Sequence, residues 1–287
     1  MSAIVIDGNA IARAVRAEWK LRADRLNALG SPPGLAVIMV GEIPASKVYV
    51  SNKLRASAEM GIRSEKFLYP ADVPEARVLD RISALNADPR CHGILVQLPL
   101  PPQVSVRKVL ETISPDKDVD GFHLYNVGGL VAGGTVFPPC TPYGVLCLLD
   151  RSGIPIAGQN VTVVGASNIV GKPLGLMFLQ REATVAICHA KTRDLAQFTI
   201  AADILVVAAG QPNLVTAPMV RTGSVVVDVG INRLPDGRLL GDVEFETVRQ
   251  KTSYLTPVPG GVGPMTVTML LCNTIASAER HLQARAA

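Results

Sequence analysis

The sequence predicts an α/β protein of two domains, the second of them built on a mostly parallel β-sheet. Three observations carry this. Short apolar runs of strand length alternate with helical patterns along most of the chain. Several of those runs are continuously apolar, as strands covered on both faces by helices are. A shift to polar, glycine-rich composition near residue 140 divides the pattern in two. With 48% hydrophobic and 18% charged residues among 287, the chain can bury a sizeable core.

The first helix is predicted over residues 10–29, with Ile11, Val15 and Trp19 recurring at four-residue spacing and Gly30 ending it ahead of Ser31-Pro32-Pro33-Gly34. A strand at 35–40 precedes a second helix from about residue 45 to Met60, stopped by Gly61, with Val50, Leu54 and Ala58 as the apolar stripe toward the core. A third helix starts near Pro74 and carries Leu79, Ile82 and Leu85 on one face; a strand at 93–98 follows. Residues 115–142 hold Asp116-Lys117-Asp118-Val119-Asp120-Gly121 and the pairs Gly128-Gly129 and Gly133-Gly134, so they read as a boundary and a functional loop together. Thr141 as N-cap and Pro142 in the first helical position restart the helical pattern. Strands at 161–164, 184–188, 204–208 and 224–229 then alternate with helices. The expected division is 1–139, 140–265 and a final helix at 266–287.

Composition narrows the partners. The N-terminus has no basic segment leading into an apolar one, and no apolar run is long enough to cross a bilayer, so a cytoplasmic protein without a membrane partner is expected. A net charge of +4, with basic residues interleaved among acids, argues against nucleic acid and suits a small polyanion. The cysteines (Cys91, Cys140, Cys147, Cys188, Cys272) show no C-x-x-C spacing, so neither disulfides nor a metal is expected.

The second half carries a dinucleotide signal. The strand ending at Val164 runs through Gly165-Ala166-Ser167-Asn168-Ile169-Val170-Gly171 into a helix that begins near Pro173. Gly165 permits the tight turn, Gly171 lets backbone approach a phosphate, and the helix start favours the anion. The spacing is G-x-S-x-x-x-G, and alone it also serves a strand-to-helix turn with no ligand. Gly210, and Gly230 with Ile231, follow the C-ends of later strands, where ligands of parallel sheets bind. After the second strand come His189, Ala190, Lys191, Thr192 and Arg193, with no carboxylate until Asp194. NAD sites place an acid there for the ribose hydroxyls, so the sequence favours NADP; a solvated basic loop reads the same way.

In the first half, Ser46, Tyr49 and Lys53 fall on one helical face. Taken singly, Tyr49 is equally a packing residue and Lys53 a surface charge. Gln97 is a polar residue near the end of an apolar strand and needs partners, catalytic or structural. The alternating acids of 116–120 lack the glycine and terminal glutamate of a calcium loop. Two prolines and three glycines stiffen Thr256-Pro257-Val258-Pro259-Gly260-Gly261-Val262-Gly263 before the last helix.

Together these segments are specific. YVSNK at 49–53, GILVQLPLP at 93–101, DKDVDGFH at 116–123 and TPVPGGVGPMT at 256–266 resemble the signature segments of the methylenetetrahydrofolate dehydrogenase/cyclohydrolase family, and GASNIVGKP at 165–173 is similar to its cofactor turn. The resemblance spans nearly the whole chain, in family order. It implies a catalytic N-terminal α/β domain joined by the final helix, a Rossmann-type NADP domain between them, a folate cleft and a homodimer. It implies Lys53 as the catalytic lysine, Gln97 as its partner, Tyr49 packed on the substrate and Asp120 bonded to the pterin. Leu98, Pro99, Pro259, Gly260 and Gly261 then line the folate, and Gly165, Ala166, Ser167, Ile169, Gly171, His189, Lys191, Gly210, Gly230 and Ile231 the cofactor. Two positions depart from the pattern: Ala166 stands where some relatives carry an arginine for the 2′-phosphate, and Ala190 where others are polar or basic, which weakens the case for NADP. A dehydrogenase of similar architecture for another small acid would explain the second half but not Tyr49, Lys53, Gln97 and Asp120.

The implied chemistry has two steps. Hydride loss from the methylene carbon is driven by the folate nitrogens and requires alignment, not a protein base. Hydrolysis of the methenyl product requires a base, and a lysine serves only as the neutral amine, which desolvation beside a cationic substrate favours.

Overall fold

The computed structural model describes residues 2–41 and 44–286, the side chains of 44–46, 48 and 286 lying outside that description. In chain order the first elements are β1 (Ile4–Val5), α1 (Gly8–Ala28), β2 (Gly34–Val40), α2 (Pro44–Glu59), β3 (Arg63–Tyr69), α3 (Glu75–Ala87) and β4 (Gly93–Val96). Then come α4 (Val106–Thr112), α5 (Leu124–Ala132), α6 (Cys140–Arg151), β5 (Asn160–Val164), α7 (Gly171–Gln180), β6 (Thr184–Cys188), α8 (Leu195–Thr199) and β7 (Ile204–Val207). A short 3₁₀ turn at Ala217–Met219, β8 (Val225–Asp228), β9 (Asn232–Arg233), β10 (Leu239–Leu240), α9 (Phe245–Arg249), β11 (Tyr254–Leu255) and α10 (Val262–Ala286) complete the chain.

Two compact units result: Thr141–Thr266 with the residues up to Arg13, and Ala14–Cys140 with the chain from Val267 onward. The expected division put the N-terminal residues wholly with the catalytic half. In the structure β1 pairs in parallel with β11, and this ties them to the other unit.

The unit of Ala14–Cys140, which the sequence leads one to expect is the catalytic one, has a three-stranded parallel sheet in the order β3-β2-β4. β2 is central and buried along its whole length, as its unbroken apolar sequence dictates. β3 is an edge strand, and the polar run Arg63-Ser64-Glu65-Lys66 that begins it hides it from an apolar-run reading. On α3 the buried residues are Val78, Ile82 and Leu85; Leu79 is only partly buried. The same unit's core adds Ile38, Val40, Ile94, Val96, Val104 and Val109.

Residues 115–142 are not a loop throughout. His123 caps α5 by accepting from the Tyr125 N–H (3.0 Å), and buried Asn126 ties α5 to Asp118 and Phe137. Gly129 is there for packing: a Cβ would sit 2.6 Å from the Thr135 Cα. Thr141 is likewise not an N-cap, because α6 already starts at Cys140; its hydroxyl meets that of Thr266 at 3.0 Å.

The other unit holds a six-stranded, wholly parallel sheet in the order β1-β11-β8-β7-β5-β6. β5 lies between β6 and β7, so the connection order reverses there, and this switch point is where open parallel sheets bind ligands. The last helix begins at Val262, four residues earlier than the sequence reading. Pro264 is tolerated because it falls in the first turn, where no N–H is needed. From Val267 onward α10 packs on the catalytic unit: Asn273 donates to the carbonyls of Val119 (2.9 Å) and Pro138 (3.2 Å), and Ser277 to that of Asp116 (2.9 Å). Among the described residues no helix is long and apolar enough to cross a membrane.

Candidate active site

In the catalytic unit α2 turns a different face to the core than its apolar stripe suggested. Val50, Lys53, Ser57 and Met60 are buried, while Leu54 is half-buried and Ala58 exposed. Lys53 is therefore no surface charge: it is 9% exposed, and its Nζ donates to Gln97 Oε1 at 3.1 Å. Tyr49, one turn earlier, is 39% exposed and free to meet a ligand; the side chain of Ser46 lies outside the described residues.

Gln97 sits one residue beyond β4, and its N–H still bonds to the Ile38 carbonyl (2.9 Å), so the sheet fixes its backbone. Its Nε2 donates to the Leu98 carbonyl at 2.7 Å, and this leaves Oε1 turned to the lysine. Leu98 and Pro99 follow through a cis peptide bond.

The acidic motif divides its labour. Lys117, 4% exposed, donates to the carbonyls of Leu85 (2.9 Å), Asn86 (2.7 Å) and Asp88 (2.8 Å), satisfying the C-terminus of α3. Burial pulls its pKa down. Asp118 accepts from Gly121 N–H (3.2 Å), His123 N–H (2.8 Å) and Asn126 Nδ2 (2.9 Å), so it is a structural anchor. Asp120 is the half-buried member. Desolvation pushes its carboxyl above the ordinary value, Lys53's positive charge opposes this, and Asp118 adds to it. The Cys140 thiol, for which the sequence offers no role, lies 3.2 Å from the Val119 carbonyl and against the Asp120 carboxylate; burial pushes its pKa well up. Lys53, Gln97 and Asp120 thus come together as an amine, a neutral amide and a carboxylate.

In the sheet unit, the chain leaves β5 at Gly165 with φ of 119°. A Cβ there would lie 2.1 Å from the Ala208 carbonyl oxygen, and one on Gly171 would lie 1.8 Å from that of Gly165. The switch-point crevice is walled by backbone, as a pyrophosphate cradle must be, so these residues fit a dinucleotide. Ser167 Oγ accepts from the N–H groups of Val170 (3.1 Å) and Gly171 (3.4 Å), which shapes the start of α7. Ala166 is half-buried in this turn, and Ile169 and Ile231 are exposed. His189, Lys191 and Arg193 are exposed past the end of β6, and Asp194 is engaged as the cap of α8 through the Ala196 N–H (3.1 Å). Gly210 follows β7, and Gly230 is buried beyond β8.

Pro259, Gly260 and Gly261 also belong to the sheet unit. Val258–Pro259 is cis and Gly260 has φ of 103°. A Cβ on Gly8 would lie 1.8 Å from the Gly261 carbonyl oxygen, so this stiff loop closes on the start of α1.

A parallel-sheet dinucleotide unit and a second α/β unit carrying a buried lysine–amide pair define a two-domain nicotinamide-dependent enzyme. Two family descriptions fit it: "Tetrahydrofolate dehydrogenase/cyclohydrolase, catalytic domain" over residues 6–120, and "Tetrahydrofolate dehydrogenase/cyclohydrolase, NAD(P)-binding domain" over 139–282. The chain is 57% identical over 280 residues to the bifunctional protein FolD of Nitrosospira multiformis, covering 98% of this chain and 97% of that one. It superimposes on the crystal structure of the bifunctional FolD enzyme of Campylobacter jejuni with a TM-score of 0.95 and 48% identity, covering 97% of this chain and 99% of that one. The Trypanosoma brucei enzyme, complexed with NADP and inhibitor, matches at 0.95 and 39%, with 99% of both chains covered. The chain belongs to the tetrahydrofolate dehydrogenase/cyclohydrolase family and is an enzyme of both activities.

Proposed function

We propose that the chain oxidises 5,10-methylenetetrahydrofolate to the 5,10-methenyl compound and hydrolyses that to 10-formyltetrahydrofolate, with the roles divided as follows. The observation that carries the reading is the Lys53 amine, buried and held 3.1 Å from the neutral Gln97 oxygen. NADP, when bound, supplies the hydride acceptor of the first step. Gly165, Ala166, Ser167, Ile169 and Gly171 hold it at the start of α7, Gly210, Gly230 and Ile231 border it, and His189 and Lys191 face its 2′-phosphate.

For hydride transfer the residues align. Tyr49 packs on the folate, Leu98, Pro99, Pro259, Gly260 and Gly261 line it, and Asp120 accepts from the pterin's amino and ring N–H donors, a charge-assisted pair. For hydrolysis they move a proton. A water oxygen attacks the methenyl carbon and one of its protons passes to Lys53 Nζ; the remaining hydroxyl then becomes the formyl C=O as the carbon–N5 bond breaks, its proton ending on N5 and the formyl group on N10, so that one proton is released overall. Gln97 orients the amine without adding a charge that would hold the amine protonated. A carboxylate in its place would favour the charged form.

We also propose a cytoplasmic homodimer with no membrane or nucleic-acid partner, supported by family membership and the small net charge of +4. Light scattering would then give twice the 30.3 kDa chain mass. The enzymatic reading is tested by following NADPH formation with methylenetetrahydrofolate and comparing kcat/KM for NADP and NAD. A clear NADP preference is expected, from His189, Lys191 and Arg193; equal values or an NAD preference overturn the assignment.

A further inference from the structure

We infer that Asp242 is a positioning residue for the dinucleotide, acting through the loops after β7 and β8, and that Asp228 fixes it in place. The inference rests on the reading of those loops as cofactor-bordering.

Asp242 follows β10 and is 0% exposed. Its Oδ2 accepts from the Ala209 N–H (2.6 Å) and the Gly210 N–H (2.8 Å), in the loop beyond β7; its Oδ1 accepts from Asn232 Nδ2 (2.8 Å). One carboxylate thus bridges two separate turns at the C-terminal edge of the sheet, and each of its three hydrogen-bond partners is a donor. That arrangement calls for an acceptor-only side chain, because an amide would turn one N–H₂ toward a donor.

Asp228, 3% exposed at the end of β8, supports it from below. Its Oδ1 accepts from the Gly230 N–H (2.9 Å) and the Asp242 N–H (3.0 Å), and its Oδ2 from the Val243 N–H (2.9 Å). Two glycines record how closely the pieces fit. A Cβ on Gly230 would lie 2.3 Å from the Asp242 carboxyl carbon, and one on Gly241 would lie 1.8 Å from Asp228 Oδ2. The glycine beyond β8 is therefore required by the buried carboxylate.

The consequence is local. Ala208 and Ala209 form the wall that Gly165 approaches at the switch point, so releasing the Ala209 and Gly210 N–H groups moves a side of the crevice. Lys53, Gln97 and Asp120 belong to the other unit and make no hydrogen bond in this network.

The test uses the full-length enzyme with Asp242→Ala and the near-isosteric Asp242→Asn, NADP titration by calorimetry, and separate assays of the two activities. Asp242→Ala should raise the Kd for NADP about tenfold or more, the scale of lost hydrogen bonds to a charged group, and Asp242→Asn several-fold. KM for NADP should rise more than kcat falls, and cofactor-free hydrolysis of the methenyl substrate should stay within about twofold of wild type. Should the alanine variant fail to fold, the asparagine variant decides. A folded variant with wild-type Kd for NADP overturns the inference, as does a parallel fall in both activities with a lowered melting temperature, the mark of a merely structural residue. A wild-type chain that does not bind NADP overturns the functional reading itself, and the inference with it.

Discussion

Lys53 Nζ donates to an oxygen that carries no charge, and the whole hydrolytic reading turns on that pairing. Gln97→Ala removes the orienting acceptor, so hydrolysis should fall by about tenfold or more, and the effect should be less than additive with loss of the lysine, because the two act as a unit. Initial rates of methenyl loss for the single and double variants check this; strict additivity would mean independent roles. The Asp120 carboxylate is met by the Cys140 thiol, whereas that of its neighbour Asp118 accepts three hydrogen bonds from the fold. Asp120→Ala should accordingly weaken folate binding and slow both activities while leaving NADP affinity intact. Unchanged folate titration would make Asp120 a loop residue only. Asp228 gives a pH prediction. Burial raises its pKa from 3.8 to about 6, so the folded state holds the proton more tightly than the unfolded one. The stability it contributes is full below about pH 4 and is lost as pH rises through about 6. The melting temperature of wild type relative to Asp228→Asn should therefore fall between pH 4 and 7, and a flat or rising difference would contradict it.

The turn between β5 and α7 is built from backbone in contact with backbone. A methyl group on Gly171 would need to occupy space 1.8 Å from the Gly165 carbonyl oxygen. Gly171→Ala should lower stability by about 1–3 kcal/mol or more and abolish measurable NADP binding; a variant that melts and binds like wild type would show that the turn has slack. This turn, and the strands around it, were legible because buried parallel strands are written as continuous apolar runs and because Gly165 and Gly171 punctuate them. β3 was not, because an edge strand can be as polar as Arg63-Ser64-Glu65-Lys66. Nor was α5, whose Gly128-Gly129 reads as a loop when Gly129 in fact lies against Thr135. On α2 the apolar stripe misled by one position, since the buried Lys53 occupies a place on the core face that composition assigns to a hydrophobe. The proposed site residues stand out only as a set, through the family resemblance; singly, Tyr49 reads as a packing residue and Lys53 as a surface charge. Asp242 left a faint signal, an acid between Gly241 and Val243 after a short hairpin, and only the three donors that reach its carboxylate from distant parts of the chain, Ala209 N–H, Gly210 N–H and Asn232 Nδ2, reveal its place.

As a whole the chain carries two chemistries with different demands. In the proposed mechanism hydride transfer draws on the sheet unit and its crevice and needs alignment, while hydrolysis draws on the lysine–amide pair and needs a base. Family membership establishes that both activities are present, and the central claim is that a single amine separates them. Lys53→Met keeps most of the side-chain bulk and removes the amine. The direct measurement is a pair of assays on the purified, folded variant: NADPH formation from methylenetetrahydrofolate, and loss of methenyl absorbance. Hydrolysis should fall by about 100-fold or more, the scale of a lost general base, with dehydrogenase activity reduced much less. A folded Lys53→Met enzyme that hydrolyses the methenyl substrate at the wild-type rate would contradict the account.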